Sequence, residues 1–395
     1  MKDIIKLSLI ATLAISSSLY ADNSVKKMFD DAKVSGEVRS LYSAYNNDND
    51  TDSYASAVGT ALKYELASLK GFNGAVAFRT SHTISSLSGE DDKYNDELSG
   101  EMKDYTKLTQ LYLNYKYDDF NFRAGRQILE TPLADSDDIR MMPNSFRACV
   151  ATYDIDKISL TAGHIVNWQG ADAGLEREWS KTGEDGVNFA GAVFESDTLS
   201  SNLWFYNIAN FSDANNAFYA DVTGIINFGN SLELVLSAQY LKESELDNSK
   251  VEANIYGAMA EFSFKNLGMM IAYNSSSKEK GKHSFSGFGG GTLYTNMDTM
   301  ILDEITEDRD AQAFVIGISY EVEDFNLAYA YGSFQGDANT QGEKAEITEH
   351  DISVEYTPTE DLTLSATYIL DENKESTTST DFNNDNVRVF ASYSF

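Results

Sequence analysis

Apolar residues recur at every second position in this chain, in one segment after another from residue 34 to the last residue. In 314–320 the apolar series is Phe314, Ile316, Ile318 and Tyr320; in 361–368 it is Leu362, Leu364, Ala366 and Tyr368. A two-residue period sends successive side chains to opposite faces of an extended strand, so each segment has one apolar face and one polar face. Eighteen segments follow this pattern: 34–45, 54–68, 71–84, 105–117, 119–128, 144–153, 156–168, 187–195, 197–211, 217–228, 231–245, 251–265, 267–277, 311–322, 324–334, 347–357, 361–370 and 386–395. Sixteen strands is the alternative count. Most run about 10 to 15 residues, against the roughly 5–6 usual in soluble sheets. Tight links at 118–119, 155, 196–197, 229–230, 265–266, 323–324 and 358–360 alternate with longer ones at 46–53, 85–104, 129–143, 169–186, 278–310, 335–346 and 371–385. Short turns at one end and long loops at the other are the asymmetry of a membrane-spanning barrel. The expected fold is therefore all-β: a transmembrane antiparallel β-barrel with long extracellular loops, short periplasmic turns and both chain ends on the turn side.

Composition agrees with strands that hide their hydrophobicity by alternation. There are 23 Tyr and 22 Phe but a mean hydropathy of only −0.35. Past the first residues no stretch approaches the roughly 20 apolar residues of a spanning helix. Residues 1–21 read as an export signal: Lys2 and Lys6, an apolar run Leu7–Ala14, small residues Ser16–Ser18, then Tyr20-Ala21, with cleavage after Ala21. Leu19 stands where a small residue is preferred, and the apolar run is short for a membrane anchor. Residues 22–395 then form one barrel domain, preceded by a short helix with Val25, Met28, Phe29 and Ala32 on one face. The formal charge of −32 excludes nucleic acid as a partner. Much of the acid lies in loops at 46–52, 90–96, 303–310 and 381–386. The plain role of these carboxylates is solvation; the sharper one is weak divalent-cation binding that bridges to lipopolysaccharide. No EF-hand is present, since Ser53 and Gly59 stand where that loop needs Gly and Glu. The single Cys149 excludes an internal disulfide. The histidines, His82, His164, His283 and His350, show no metal-ligand or catalytic spacing. No cofactor or resident metal is expected, and no enzyme activity.

The alternation also sorts the charges. Arg39, Lys63, Arg79, Lys116, Arg123, Arg147 and Arg388 fall on the inward faces of strands that become contiguous when the barrel closes. Glu233, Glu261, Glu321 and Glu355 fall inward on the opposite side. A basic wall facing an acidic wall across water is the expectation, and such a field orients dipolar solutes. Lys107 and Arg126 break the pattern, each in phase with the apolar set of its own strand near the extracellular rim. Gly289-Gly290-Gly291, inside the longest loop, lacks the rest of a phosphate-binding motif and reads as flexible linker.

The segment 125–146, GRQILETPLADSDDIRMMPNSF, resembles the third-loop region of the OprD-type family of 18-stranded outer-membrane porins, in Gly125, Gln127, Thr131, Pro132, Pro143 and Phe146. The resemblance implies a loop that folds into the barrel and narrows it. Thr131, Pro132, Asp135, Asp137 and Asp138 would then belong to the constriction, the aspartates facing the basic wall, with Arg140 anchoring or lining it. Phe395, the last residue, resembles the terminal aromatic that outer-membrane barrels present to their assembly machinery. Porins of this kind commonly form homotrimers, which no residue here fixes. Together these features point to a bacterial outer-membrane channel, embedded in lipid and lipopolysaccharide, that passes small hydrophilic solutes and ions by diffusion. A surface adhesin or structural barrel without conductance is the alternative.

Overall fold

The computed structural model describes residues 23–47, 51–175, 179–229, 231–277, 281–285, 287–373 and 382–395. The export signal at 1–21 lies outside the described residues. Eighteen strands form one closed antiparallel barrel: β1 Lys33–Asn47, β2 Ser53–Glu65, β3 Phe72–Thr83, β4 Asp104–Tyr117, β5 Phe120–Gln127, β6 Ser145–Ile155, β7 Ile158–Gln169, β8 Val187–Glu195 and β9 Leu199–Ile208. The second half adds β10 Asn215–Gly229, β11 Leu232–Glu245, β12 Ala253–Phe264, β13 Leu267–Ser277, β14 Ala311–Val322, β15 Phe325–Gly336, β16 Ala345–Thr359, β17 Leu362–Asn373 and β18 Phe382–Ser394. The eighteen alternating segments are these eighteen strands, and 187–195, 267–277 and 311–322 agree to the residue.

The barrel closes where β1 pairs with β18. Gly36 and Phe395 exchange both backbone N–H···O bonds, each 2.9 Å. A Cβ on Gly36 would lie 2.5 Å from the Phe395 ring, so glycine leaves the space that the terminal ring occupies at the seam. An α-helix, α1 Asn23–Asp30, precedes β1 and leans on the β2–β3 turn: Ala67 N–H donates to Met28 O at 3.1 Å. The short turns reverse through left-handed residues such as Asp118, Lys265 and Glu323.

Outward positions carry the exposed apolar side chains: Leu111 and Leu113 on β4, Leu203 and Phe205 on β9, Ile316 and Ile318 on β14. With no water in the bilayer core every strand backbone must be paired, and closure leaves no edge. The buried core lies inside the barrel. Leu129, Leu133 and Ala134 of loop 128–144 meet Phe288, Leu293, Leu302 and Ile305 of loop 281–310, over inward residues including Phe146, Ile165, Phe189, Tyr206 and Phe334. Fully burying a leucine or phenylalanine contributes roughly 1.5–3 kcal/mol. Both loops are therefore held inward by ordinary hydrophobic packing. A second cluster joins Leu98 of loop 84–103 and Met141 and Met142 to Leu41, Ala55 and Ala57 of the wall.

Candidate functional site

Loop 128–144 enters the lumen as a hairpin in which Thr131 pairs with Ala134 and Glu130 with Asp135. Pro132, whose ring fixes φ, and Leu133 make the two-residue link. Thr131 Oγ1 donates to Ala134 O at 3.0 Å, and the Leu133 N–H donates to Tyr206 Oη at 3.4 Å. The long loop adds a third extended piece: Phe288 N–H donates to Leu133 O at 2.9 Å and Asp135 N–H to Phe288 O at 3.1 Å. Gly289 has φ 121°, and a Cβ there would sit 2.4 Å from Asp135 O. Gly289-Gly290-Gly291 is thus a docked segment rather than a flexible linker, with glycine required by close backbone approach.

Charged groups meet where this hairpin touches the wall. Asp138 accepts from Arg39 at 2.7 Å and from Arg79 at 3.1 Å, bridging β1 and β3. Glu37 lies between the same two arginines, 2.8 Å from Arg39 and 3.4 Å from Arg79. Arg39 also donates to Arg140 O. Arg140 holds Glu97 at 2.6 Å, Asp172 at 3.3 Å and Asp137 at 3.8 Å, tying loops 84–103, 128–144 and 170–186 together. Arg388 completes the chain through Glu97 at 3.1 Å and Asp298 of the long loop. Burial pushes the Glu97 carboxyl up, but Arg388 and Arg140 outweigh it and hold the group below the usual range. Asp137 goes the other way, to about 6, through burial and then the Asp172 charge. Asp135 accepts the Asp137 N–H at 3.1 Å and stays within the hairpin. Of the three loop aspartates, Asp138 alone contacts the basic wall directly.

Six of the seven basic residues expected inward lie there. Below Arg39 and Arg79, Lys63 pairs with Glu65 at 2.8 Å. Arg123 stacks on the Tyr112 ring at 4.3 Å and donates to Asn114 at 3.3 Å, and Lys116 shares that face through its pairing with Asn121. Arg147 is the correction. It stands directly opposite Arg126 on the outward face, the face of Leu111 and the exposed Cys149, with its guanidinium 4.3 Å from the Trp179 ring. The apolar stripe of β6 is Phe146, Ala148 and Val150, which looks lipid-facing but packs on the inserted loops. Lys107 turns the opposite way. A β-bulge at Thr109 shifts the register between Ala77 and Phe78, so Lys107 pairs with Arg79 on the inner face and donates to Leu175 O at 2.6 Å.

On the other side Glu233, Glu261, Glu321 and Glu355 occupy inward positions of β11, β12, β14 and β16. A cavity of about 560 Å³ against this side is lined by Glu261, Met270, Asp298, Asp351 and Thr367. Toward the loops a second space of about 470 Å³ is lined by Asp137, Arg140, Asp172, Asp213, Trp168 and Phe288. The sequence signal for loops 84–103 and 281–310 as lumen-filling elements was their length alone. The histidines stay apart, His82 beside Asp104, His164 beside Asn188, His283 beside Asp213 and His350 beside Tyr329.

The family model described as outer membrane porin, OprD family, matches residues 26–395. The chain belongs to the OprD family. Among solved structures this porin resembles OccAB3 of Acinetobacter baumannii, with TM-score 0.79, 13% identity and coverage of 93% of this chain and 99% of that one. OccK9 (OpdG) of Pseudomonas aeruginosa gives TM-score 0.78 and 14% identity, covering 93% and 100%. OpdL of the same organism gives 0.75 and 15%, covering 93% and 99%. No curated protein matches the chain. At these identities the structures speak for the fold, and the family match places this porin in the outer membrane as a channel for small solutes.

Proposed function

We propose that this porin passes small hydrophilic solutes by passive diffusion through an eyelet narrowed by loop 128–144 and flanked by opposed charges. The observation that carries this is the Asp138 bridge to Arg39 and Arg79, which ties the segment just after the hairpin to the inner face of β1 and β3. The basic side is Arg39, Lys63, Arg79, Lys116, Arg123 and Arg388, the last paired with Asp298 of the long loop; the acidic side is Glu233, Glu261, Glu321 and Glu355. Opposed charges orient a dipolar solute across the passage, and an 18-stranded wall leaves room for water beside the loops. The channel needs neither cofactor nor energy source.

Purified protein in planar bilayers should give persistent open channels. Replacing 131–138 with a short Gly-Ser link should raise the single-channel conductance several-fold. Neutralising Lys63, Arg79 and Arg123 together should move the reversal potential under a salt gradient toward cations. Protein that inserts and stays silent would falsify the channel itself; unchanged conductance after loop replacement would remove the loop from the constriction.

A further inference from the structure

The outward face of the barrel carries a row of cations at its extracellular rim. Arg126 is the next-to-last residue of β5 and Arg147 the third of β6, and the two stand directly opposite each other. Arg147 in turn is opposite Asn167 of β7, and Asn167 is opposite Lys181 of the short strand Ser180–Lys181. Directly opposed residues share a face, with Cβ atoms about 4.5–5.5 Å apart, so three cations and one amide lie side by side. The row holds no carboxylate, and on the far side of Arg126 it ends on Leu111. Trp179 covers it, with its ring 5.1 Å from the Arg126 guanidinium and 4.3 Å from that of Arg147.

Its level in the membrane follows from the rows beneath. The next one toward the short turns is Ala124, Cys149, His164 and Asn188, with His164 and Asn188 bonded to each other at 2.9 Å. The one after that is apolar throughout: Phe122, Ala151, Ala162 and Ala190. The cations therefore stand where hydrocarbon gives way to headgroups, a level at which a barrel tolerates arginine and at which tryptophan is at home. Arg126 also donates to Leu108 O at 3.2 Å, which turns its side chain along β4 toward the loops. There a recess of about 530 Å³ is lined by Arg126, Trp179, Thr106 and Leu108, with Lys107 and Asp104 as its other charged groups.

Like charges set directly opposite each other repel. The Trp179 ring attracts both guanidinium groups but brings no net charge to offset them. A phosphate does, since it carries close to two negative charges at neutral pH and accepts from a guanidinium through two parallel N–H donors. We propose that Arg126, Arg147, Lys181 and Trp179 form a site for the phosphate-bearing headgroup of a lipopolysaccharide molecule in the outer leaflet. Its phosphate lies along the row, its sugar enters the recess beside Trp179, and its acyl chains cover Phe122 and the alanines beneath. This contact is direct, so it needs no bridging divalent cation.

The test uses the full barrel refolded in nonionic detergent free of lipopolysaccharide, with EDTA present to remove bridging cations. Diphosphoryl lipid A is titrated into the micelles, and lipid retained by the barrel is counted by native mass spectrometry. The wild type should retain the lipid saturably, and a fully dephosphorylated lipid A should bind about ten-fold more weakly or worse. Arg126→Gln combined with Arg147→Gln should weaken binding by a similar factor. Lys181→Gln, at an exposed position, should weaken it about two- to three-fold, and Lys265→Gln, in a turn at the opposite end, should not change it. The proposal is overturned if both lipids bind equally, or if binding is undiminished in the double variant and in Lys181→Gln. It is overturned too if an equal concentration of inorganic phosphate displaces the lipid, which would make the row a plain anion site. Loss of an oligomer in lipid-free detergent on Lys181→Gln would instead assign the row to a contact between copies of the chain.

Discussion

Asp138 places one carboxylate against two guanidinium groups, and that arrangement gives each of the three residues a separate electrical signature. A unit charge about 7 Å from an ion path in a water-like medium is worth about 0.6 kcal/mol, close to a three-fold change in local ion concentration. Arg79→Gln should therefore shift the cation-to-anion permeability ratio upward about two- to three-fold, and Asp138→Asn should shift it downward by a similar factor. Arg147→Gln should leave it unmoved. Reversal potentials of the three variants under one salt gradient decide the matter, and a shift in Arg147→Gln would return that side chain to the conducting path. The orientation of Arg147 was not legible in the sequence because alternation says which residues share a face, not what the face touches. Phe146, Ala148 and Val150 are apolar for the sake of an inserted loop, and the same pattern serves equally for lipid. Lys107 illustrates a second blind spot, since a single inserted residue at Thr109 exchanges the faces of everything beyond it.

Elements of the barrel wall were legible in number and order, with ends within about four residues, because lipid on one side and water on the other impose a strict two-residue period. Loops have no such period. The inward course of 128–144 came from resemblance in a short motif, and that of 281–310 had no sequence signal beyond length. The long loop is docked through buried carboxylates of the wall: Glu243 of β11 accepts from Ser284 Oγ and Phe285 N–H, and Glu349 of β16 from Thr299 and Met300. The loop carries its own buried acid, Asp303, pushed by burial up to about 6, with Oδ1 lacking a partner. Ionising it in the docked loop therefore costs on the order of 3 kcal/mol. Its folded-state value is raised, so the docked form is fully stable below the ordinary aspartate range and loses that stability as pH rises through about 6. Lowering the pH from 7 to 4 should protect the loop from limited proteolysis, and Asp303→Asn should flatten the response. A wild-type cleavage rate that is level across this window would show that Asp303 does not govern docking.

The whole molecule sets two electrostatic influences against each other. The formal charge of −32 lies heavily in loops at the extracellular mouth, whereas the cations concentrate on β18 and β1–β5 deep in the lumen. The exposed loop acids, such as Glu90, Asp91 and Asp92, stand in open solvent, where the Debye length is about 30 Å at 0.01 M salt and about 3 Å at 1 M. They enrich cations at the mouth in dilute salt and cease to act across the entrance in concentrated salt. The lumenal arginines sit among low-dielectric walls and partnered carboxylates, so salt weakens them less. Cation preference should accordingly be strongest in dilute salt and fall toward the value set by the eyelet as salt is raised. Replacing three exposed mouth acids, Glu90, Asp91 and Asp92, by their amides should lower the preference at 0.01 M and leave the 1 M value in place. Bilayer permeability ratios measured at both salts separate the two contributions. A preference that is independent of salt would assign selectivity to the eyelet alone.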